Sequence, residues 1–383
     1  MRVFRFDALK LSPAAEAMRL RVRAFLDEER AHGGFRPHRC SWSTFDPAFS
    51  RRVGAAGLIG LTWPKRYGGH ERTDLERFVV AEEMLAAGAP GGAHWVADRQ
   101  SGPQILKHGS ERARQTILPR IAAGECYFGI GMSEPESGSD LAAVRTRAEK
   151  VQRGWCINGS KIWTSNSHRA DYLIALIRTA PPGADRHAGL SQFVIDMAAD
   201  GVTTRPIRNI AGEHEFNQVF FQDYIVADDT MVGAEGAGWS MVTQELAFER
   251  AGPDRFMSDF RLLTALIDRV GSQPDPHQST EIGRLIAHVA ALRRMSTSIA
   301  GLLERGESPI TEAALVKDVG TAFERDVPEV ARRLTSAEPS LDDDEDGFNE
   351  AMADVLLRAP SFTIRGGTPE ILRGMIARGL GLR

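Results

Sequence analysis

Residues 127–235 follow a different pattern from the sequence on either side of them. They form short segments rich in β-branched and aromatic residues, and we predict strands at 172–177, 192–195 and 219–221. The flanking sequence instead repeats apolar residues at the 3.6-residue spacing of amphipathic helices. This change of pattern predicts three domains, at 1–126, 127–235 and 236–383.

The middle segment lacks the alternation of strands and helices that a parallel sheet requires. Turn signals separate its strands, at 181–183 and 200–201, and Asn158-Gly159 predicts a tight hairpin turn. We therefore predict an α+β protein, mostly α, with a middle antiparallel β-barrel or sandwich between an N-terminal helical domain and a C-terminal helical bundle.

Start and stop signals support the helical assignment of the flanks. Ser12 is suited to cap a helix whose first residue is Pro13. In the C-terminal domain an apolar helical stripe is followed by Gly271, a residue typical of helix ends. The acidic run at 342–346 is typical of a solvated loop between helices.

Composition excludes several classes of protein. A 42% hydrophobic content over 383 residues is enough for a packed core, and a formal charge of −4 gives no electrostatic support for nucleic-acid binding. The three cysteines (Cys40, Cys126 and Cys156) and the scattered histidines show no metal-ligand spacing, so we expect no metal site. No apolar run is long enough to span a bilayer and no signal peptide is evident, which predicts a cytoplasmic protein.

The segment 132–140 is the first of four that carry candidate chemistry. Its exposed backbone N–H groups and its serine hydroxyls lie in a segment that leaves a strand. Such a loop can hold a phosphate or a ring carbonyl. The alternative is an ordinary turn in which serine and aspartate side chains bond their own backbone.

The second segment, 158–166, contains Trp163 and Ser165. Two residues apart on a strand, they are predicted to share one face. A flat aromatic beside a hydroxyl suits a planar cofactor, whereas the alternative is a core tryptophan of the β-domain.

The third and fourth segments lie in the C-terminal domain. Glu249 is predicted on a helix among apolar neighbours, where burial raises the pKa of a carboxylate and suits it to act as a general base; the alternative is a solvated or paired glutamate. Near the C-terminus, two glycines precede Thr368 and Pro369, which predicts a loop entering a capped helix. The free N–H groups of that helix start suit an anion or a polarised oxygen.

In their order and separation, these segments resemble the acyl-CoA dehydrogenase family over nearly the whole chain. The most specific matches are Glu134-Pro135 with Gly138-Ser139-Asp140, and Lys161 with Trp163 and Asn166. The loop 64–69 (Pro-Lys-Arg-Tyr-Gly-Gly) and the stretch 118–125 (Leu-Pro-Arg-Ile-Ala-Ala-Gly-Glu) are also similar to family motifs.

The resemblance implies a flavoenzyme that uses FAD to convert an acyl-CoA thioester to the trans-2-enoyl-CoA. By position, Met132 and Ser133 would meet the pyrimidine side of the flavin, Trp163 would stack beside it, and Ser165 would lie near N5. Further implied contacts to FAD or to the CoA substrate are Ser139, Thr368 and Glu370.

The resemblance also implies where the catalytic base lies. In the family the commoner position is the residue before Gly-Thr in the C-terminal loop, which here is Gly366 and has no side chain. The other position is a glutamate immediately before an arginine, which here is Glu249 before Arg250. We therefore expect Glu249 to take the α-proton, Arg250 to adjoin the base in the substrate site, and the Gly366 N–H to polarise the thioester carbonyl.

Two family segments that contact the adenosine half of FAD are absent. An Arg-x-x-Phe-Gly motif is replaced at 271–277, and a Gln-x-x-Gly-Gly-x-Gly segment is replaced by the acidic run. This divergence resembles subtypes that act on unusual acyl-CoAs, some of them as heteromers in sterol degradation. The implied partners are an acyl-CoA, an electron-transferring flavoprotein, and a second copy or a homologous chain.

Two alternatives to a dehydrogenase stay open from the sequence. One is a non-catalytic subunit that completes the FAD site of a heteromeric enzyme, and the other is a flavin oxidase or monooxygenase on the same fold. The acyl group itself cannot be deduced from the motifs.

Overall fold

The computed structural model describes residues 3–37, 41–341 and 347–382, with only the backbone described at 245–249. Cys40 and the acidic run at 342–346 thus lie outside the described residues. Within these ranges the α-helices are α1 (Pro13–Ala31), α2 (Pro47–Ala55), α3 (Asp74–Ala87), α4 (Gly102–His108), α5 (Glu111–Ala122), α6 (Gly238–Glu249), α7 (Phe260–Val270), α8 (Pro276–Glu304), α9 (Ile310–Thr335), α10 (Phe348–Phe362) and α11 (Pro369–Gly379). The strands are β1 (Phe128–Gly131), β2 (Arg147–Val151), β3 (Gly154–Ser165), β4 (Tyr172–Arg178), β5 (Leu190–Asp196), β6 (Val202–Ile207), β7 (Phe216–Val226) and β8 (Met231–Val232).

The chain divides into two compact units. The helical unit contains the described residues of Met1–Thr44, Thr73–Pro90 and Ala247–Arg383, and the sheet unit contains Phe45–Arg72 and Gly91–Leu246. All eight strands lie within residues 127–235, and the mostly helical α+β class predicted from the sequence is confirmed.

The helical unit is a bundle organised around α9. This helix packs against α7, α8, α10 and α11, while α3 packs against α1 and α8. The predicted start of α1 is confirmed, because the Ser12 hydroxyl accepts the N–H of Ala15 at 3.2 Å and Pro13 is the first helical residue. Gly271 ends α7 with φ 76°, and the short segment that follows leads to Asp275, which caps α8. Residues 271–275 of the segment 271–277 therefore form the turn between α7 and α8, and Pro276 and His277 begin α8.

The sheet unit holds one eight-stranded sheet. Its strand order is β6-β7-β3-β2-β4-β5-β8, and β1 pairs with β4. The neighbouring pairs are antiparallel except for β1 with β4 and the single parallel pair that joins β2 to β4. One face of the sheet covers a buried apolar core in which Trp155 meets Phe193 edge to face.

The predicted hairpin turn at Asn158-Gly159 is wrong. Both residues lie inside β3, and the turn between β2 and β3 falls instead at residues 152–153. Gly159, with φ 139°, marks a register shift against β7, and a Cβ there would lie 2.7 Å from Thr146. The side chain of Asn158 exchanges hydrogen bonds with Asp223 of β7 across this shift. The positive φ of Gly159 is compatible with either a hairpin turn or a bulge. Here it forms a bulge, because β3 continues past this point and pairs with β7 as well as with β2.

Burial of His94 in the sheet unit predicts a pH-dependent stability. Its side chain is almost fully buried with Nδ1 3.2 Å from the Ser50 hydroxyl, and burial lowers its pKa to about 4. Between pH 6.5 and 4 the unfolded chain binds a proton at this histidine that the folded chain does not, so folding stability falls as the pH falls. We expect a loss of up to about 3 kcal/mol across this window.

Urea denaturation of wild-type protein and of His94→Asn, measured between pH 7 and 4, tests this expectation. Asparagine keeps a hydrogen-bonding atom near the Nδ1 position but cannot be protonated, so the pH slope should flatten even if the variant is less stable overall. The control, His32→Asn, replaces an exposed histidine and should keep the wild-type slope. An unchanged slope in His94→Asn would contradict the expectation.

No helix in the described ranges combines the length and the apolar character needed to cross a membrane.

Candidate active site

The loop that follows β1 is tied to β3 by two hydrogen bonds. The Lys161 Nζ donates to the carbonyl of Met132 at 3.2 Å, and the N–H of Ile162 donates to the carbonyl of Ser133 at 2.9 Å. These bonds hold Met132 and Ser133 beside the part of β3 that carries Trp163. The structure thus brings together three of the residues predicted to meet a flavin.

A buried ion pair between Lys161 and Glu134 also stabilises this loop. The Lys161 ammonium lies 2.8 Å from Oε1 of Glu134, and Lys161 is completely buried. The same carboxylate accepts backbone N–H bonds from Arg145 at 2.6 Å and Thr146 at 2.9 Å. With the bond from Lys161 to the Met132 carbonyl, the pair thus makes four hydrogen bonds, which suits a buried charged pair.

Burial and ion pairing have opposing effects on the pKa values of Lys161 and Glu134, and a different effect dominates in each group. Burial lowers the pKa of Lys161 to about 8, although the charge of Glu134 opposes the change. For Glu134, burial acts to raise the pKa, but the Lys161 charge and the hydrogen bonds outweigh it and the pKa lies below its usual value. We conclude that both groups are charged at neutral pH and that the pair is an internal support of the loop.

Trp163 lies at an irregularity of β3. The register between β3 and β7 shifts between Lys161 and Thr164, and Trp163 has a φ of 60°, which is uncommon for a large side chain. Lys161 and Thr164 point into the core, whereas Trp163 is 57% exposed and meets Phe216 edge to face at 5.9 Å. The bulge thus turns a large flat aromatic outward at some cost in backbone strain. The alternative of a core tryptophan is excluded.

The serines of the predicted site occupy different environments. Ser133 and Ser165 are half-buried, and within the described part of the chain neither hydroxyl forms a hydrogen bond. Ser139 lies in the exposed turn that follows, next to Asp140, whose carboxylate pairs with Arg186. The structure therefore leaves two hydroxyls near Trp163 free for a ligand and places Ser139 on the surface of the loop.

The helical unit carries the other predicted site residues. Arg250 is buried, and its Nε donates to the carbonyl of Gly366 at 3.0 Å. The backbone of Glu249 ends α6, and its side chain lies outside the described part of the chain. This bond joins Gly366, one of the two positions at which the resemblance allows a catalytic base, to the residue that follows the other, Glu249.

The loop before α11 has a backbone that glycine favours. Gly366 and Gly367 have φ values of 69° and 104°, and a Cβ on Gly367 would lie 3.3 Å from Nη2 of Arg250. The carbonyl of Gly367 accepts a 2.7 Å hydrogen bond from Nζ of Lys317, which is completely buried.

Thr368 precedes the first turn of α11, as predicted, with Pro369 at the first helical position. Its side chain does not accept a backbone N–H, which the cap prediction required. Instead, a hydrogen bond from the Thr368 side chain, together with the backbone N–H of Glu370, lowers the pKa of the exposed Glu370 carboxyl.

Sequence reasoning assigned no role to Lys161 or Lys317. Residue type was a weak signal, because the chain has 41 arginines and only 6 lysines but the other four lysines are exposed. A compact ammonium with three donors can be satisfied by one or two buried oxygens, whereas a guanidinium presents five N–H groups in a fixed plane. An ammonium therefore suits the completely buried positions of Lys161 and Lys317, but only the structure shows that these positions are buried.

Three family models match successive parts of the chain. They describe the acyl-CoA dehydrogenase N-terminal domain at residues 12–125, the middle domain at 129–224 and the C-terminal domain at 236–381. Together these matches cover most of the sequence.

Curated relatives carry the same family name. The chain is 33% identical to acyl-CoA dehydrogenase IpdE1 of Mycobacterium tuberculosis, over 88% of this chain and 87% of that protein. It is 32% identical to acyl-CoA dehydrogenase FadE34 of the same organism over 87% of this chain, but it spans only 46% of the length of FadE34.

Solved structures with the same fold include two that carry paired protein names. One is the Tcur3481-Tcur3483 steroid ACAD, with a TM-score of 0.85 and 27% identity, covering 98% of this chain and 99% of the other. The other is the ChsE4-ChsE5 complex from Mycobacterium tuberculosis, with a TM-score of 0.82 and 26% identity over 98% and 99% of the two chains. The ordered motifs, the helical and sheet units and these similarities lead to one conclusion: the chain belongs to the acyl-CoA dehydrogenase family, a family of FAD-dependent oxidoreductases.

Proposed function

We propose that this protein is an FAD-dependent acyl-CoA dehydrogenase in which Glu249 removes the α-proton of the acyl thioester. The observation that carries the proposal is the 3.0 Å bond from Arg250 to the carbonyl of Gly366. This bond holds Arg250, which follows Glu249, against Gly366, the loop position that has no side chain to act as a base. The backbone of Glu249 therefore directly precedes a residue that contacts Gly366, the position at which the family's other base would stand.

The residues of the sheet unit fit a flavin. Trp163 offers an exposed indole in a strained backbone conformation, and strain at an exposed aromatic is typical of a ligand site. The half-buried hydroxyls of Ser133 and Ser165 have no internal partner in the described residues and are free to bond polar ring atoms. We propose that these residues, with the backbone of Met132, hold the ring, and that Thr368 and Glu370 supply further FAD contacts.

In the proposed reaction the chain's own groups handle the proton and the thioester. Backbone N–H groups at Gly366 and beyond hydrogen-bond the thioester carbonyl, which lowers the pKa of the α-carbon by stabilising enolate-like charge. Glu249 accepts the α-proton, and Arg250 keeps the Gly366 peptide in place. Bound FAD supplies the acceptor for the β-hydride. Ser139, on the exposed turn, is proposed to meet the pyrophosphate of FAD or the pantetheine end of the substrate.

For the substrate we propose an acyl-CoA with a bulky, steroid-like acyl group. The support is the similarity to a structure named as a steroid ACAD, at 27% identity over 98% of this chain. An electron-transferring flavoprotein is the proposed electron acceptor.

A second candidate function is that of a subunit in a heteromeric dehydrogenase that needs a homologous chain to complete its FAD site. The chain lacks two segments that the resemblance assigns to the adenosine half of FAD, at 271–277 and at the acidic run. One similar structure is a complex of two chains named ChsE4 and ChsE5.

The test is anaerobic spectroscopy of the purified protein with FAD. We expect about one FAD per chain and bleaching of the flavin absorbance when a steroid-like acyl-CoA is added, with slower bleaching by short-chain acyl-CoAs. Protein that takes up FAD only when mixed with a homologous chain would favour the subunit function. Failure to bind FAD in either condition would reject both proposals, and rapid peroxide release under air would indicate an oxidase.

A further inference from the structure

Buried charged side chains hold three consecutive residues, 365–367, in the loop before α11. Arg365 is held through its own side chain, and Gly366 and Gly367 through their carbonyls. The carbonyl of Gly366 accepts from Arg250 at 3.0 Å, and the carbonyl of Gly367 accepts from Lys317 at 2.7 Å. The side chain of Arg365 is itself mostly buried. A loop with two glycines at positive φ would otherwise sample many conformations, so these bonds select one of them.

Helix α9 supplies two of the three anchors. Lys317 and Glu324 are seven residues apart and therefore lie on the same face, and both are completely buried. Glu324 bonds the guanidinium of Arg365 at 3.3 Å and the N–H of Ser258 at 2.8 Å. One face of α9 thus holds the loop at Arg365 through one side chain and at Gly367 through another.

The direction of the carbonyls determines the direction of the neighbouring N–H groups. In a trans peptide the C=O and the N–H point to opposite sides. Because the Gly366 carbonyl points at Arg250, the N–H of Gly367 points away from it. Because the Gly367 carbonyl points at Lys317, the N–H of Thr368 likewise points away from α9. Each cation therefore fixes the direction of one backbone donor, which points away from that cation.

We propose that Lys317 is a positioning residue, which orients the Gly367–Thr368 peptide so that the backbone donors of this loop are aligned for the thioester carbonyl. This inference rests on the proposed function. Lys317 does not touch the substrate in this account. It acts through its charge-assisted hydrogen bond to the Gly367 carbonyl, which is stronger than a bond between neutral groups and is shielded from water by complete burial.

The test compares Lys317→Met with a matched control, Thr321→Val, in the FAD-loaded protein. Thr321 is also buried on α9, but its hydroxyl bonds only the carbonyl of Lys317 within the helix, at 2.7 Å. Hydrogen exchange of the peptide covering 361–372 is measured by mass spectrometry. We expect exchange in this peptide to be about tenfold faster or more in Lys317→Met, because its loop has lost an anchor, and unchanged in Thr321→Val.

Steady-state kinetics provides the second readout. We expect kcat to fall about 10- to 100-fold in Lys317→Met while KM changes by less than about threefold, because the donors act mainly on the charge of the transition state. Thr321→Val should keep kcat within about twofold of wild type. If Lys317→Met does not fold, Lys317→Gln replaces it in the test, because glutamine keeps a neutral donor on a shorter side chain. This variant should also show faster exchange and a lower kcat, but by smaller factors.

Equal exchange in the two variants, or faster exchange with unchanged kcat, would overturn the role of Lys317. Wild-type protein that binds FAD but turns over no acyl-CoA would instead reject the proposed function. The exchange measurement still decides in that case whether Lys317 anchors the loop.

Discussion

Glu249→Gln is expected to lower kcat for acyl-CoA dehydrogenation by about 10³-fold or more, while FAD binding stays within about twofold of wild type. The amide has nearly the shape of the carboxylate but cannot accept the α-proton, and Gly366 offers no side chain as a substitute. The measurement is single-turnover bleaching of the flavin under anaerobic conditions, with FAD content determined from the absorbance ratio of flavin to protein.

Glu235→Gln is the control for the loss of one carboxylate. Glu235 is exposed and lies only a few residues before α6, so its replacement should leave both FAD content and turnover unchanged. Turnover of Glu249→Gln at the wild-type rate would reject the assigned base. Loss of FAD in the same variant would show that Glu249 supports the fold of the site instead.

Lys161→Met is expected to have the largest effect on stability, a loss of about 3 kcal/mol in the free energy of unfolding. Methionine fills a similar volume but leaves Glu134 buried without its 2.8 Å ionic partner. The N–H bonds from Arg145 and Thr146 remain and limit the loss. Because Lys161 also bonds the carbonyl of Met132, the variant should bind FAD more weakly as well. Urea denaturation and FAD titration measure the two effects.

The matched control is Lys150→Met, which breaks an exposed pair with Asp228 in the same sheet unit. Exposed ion pairs contribute about 0–1 kcal/mol, so this variant should lose at most about 1 kcal/mol. The double variant Lys161→Met with Glu134→Gln should recover part of the lost stability, because it removes the unpaired charge. Equal losses in Lys161→Met and Lys150→Met would contradict the buried-pair account.

Local sequence signals predicted the helical elements well. Ser12 and Pro13 mark the start of α1, and Gly271 marks the end of α7, because caps depend on bonds between residues a few positions apart. The signal at Asn158-Gly159 failed for the opposite reason. Whether a glycine with positive φ makes a turn or a bulge depends on the partner strand, which a local pattern does not contain.

In the candidate site, too, local sequence predicted some features, and the packing of distant elements decided others. The motif around Trp163 indicated a planar ligand, but strand alternation alone could not show that the side chain faces solvent, since the register shift beside it arises from pairing with β7. The pairing of Lys161 with Glu134 spans 27 residues, and the contact of Lys317 with Gly367 spans 50. Such contacts follow from the packing of whole elements.

The sequence by itself therefore determined the order of helical and β-rich segments, the family and the residue types available for chemistry, because periodicity, caps and ordered motifs are contained in short stretches of chain. The tertiary structure alone decided which buried charges support which loops and which way the site's backbone donors point. A buried ammonium can only be placed where folding brings a carboxylate or a carbonyl within about 3 Å of it and excludes water.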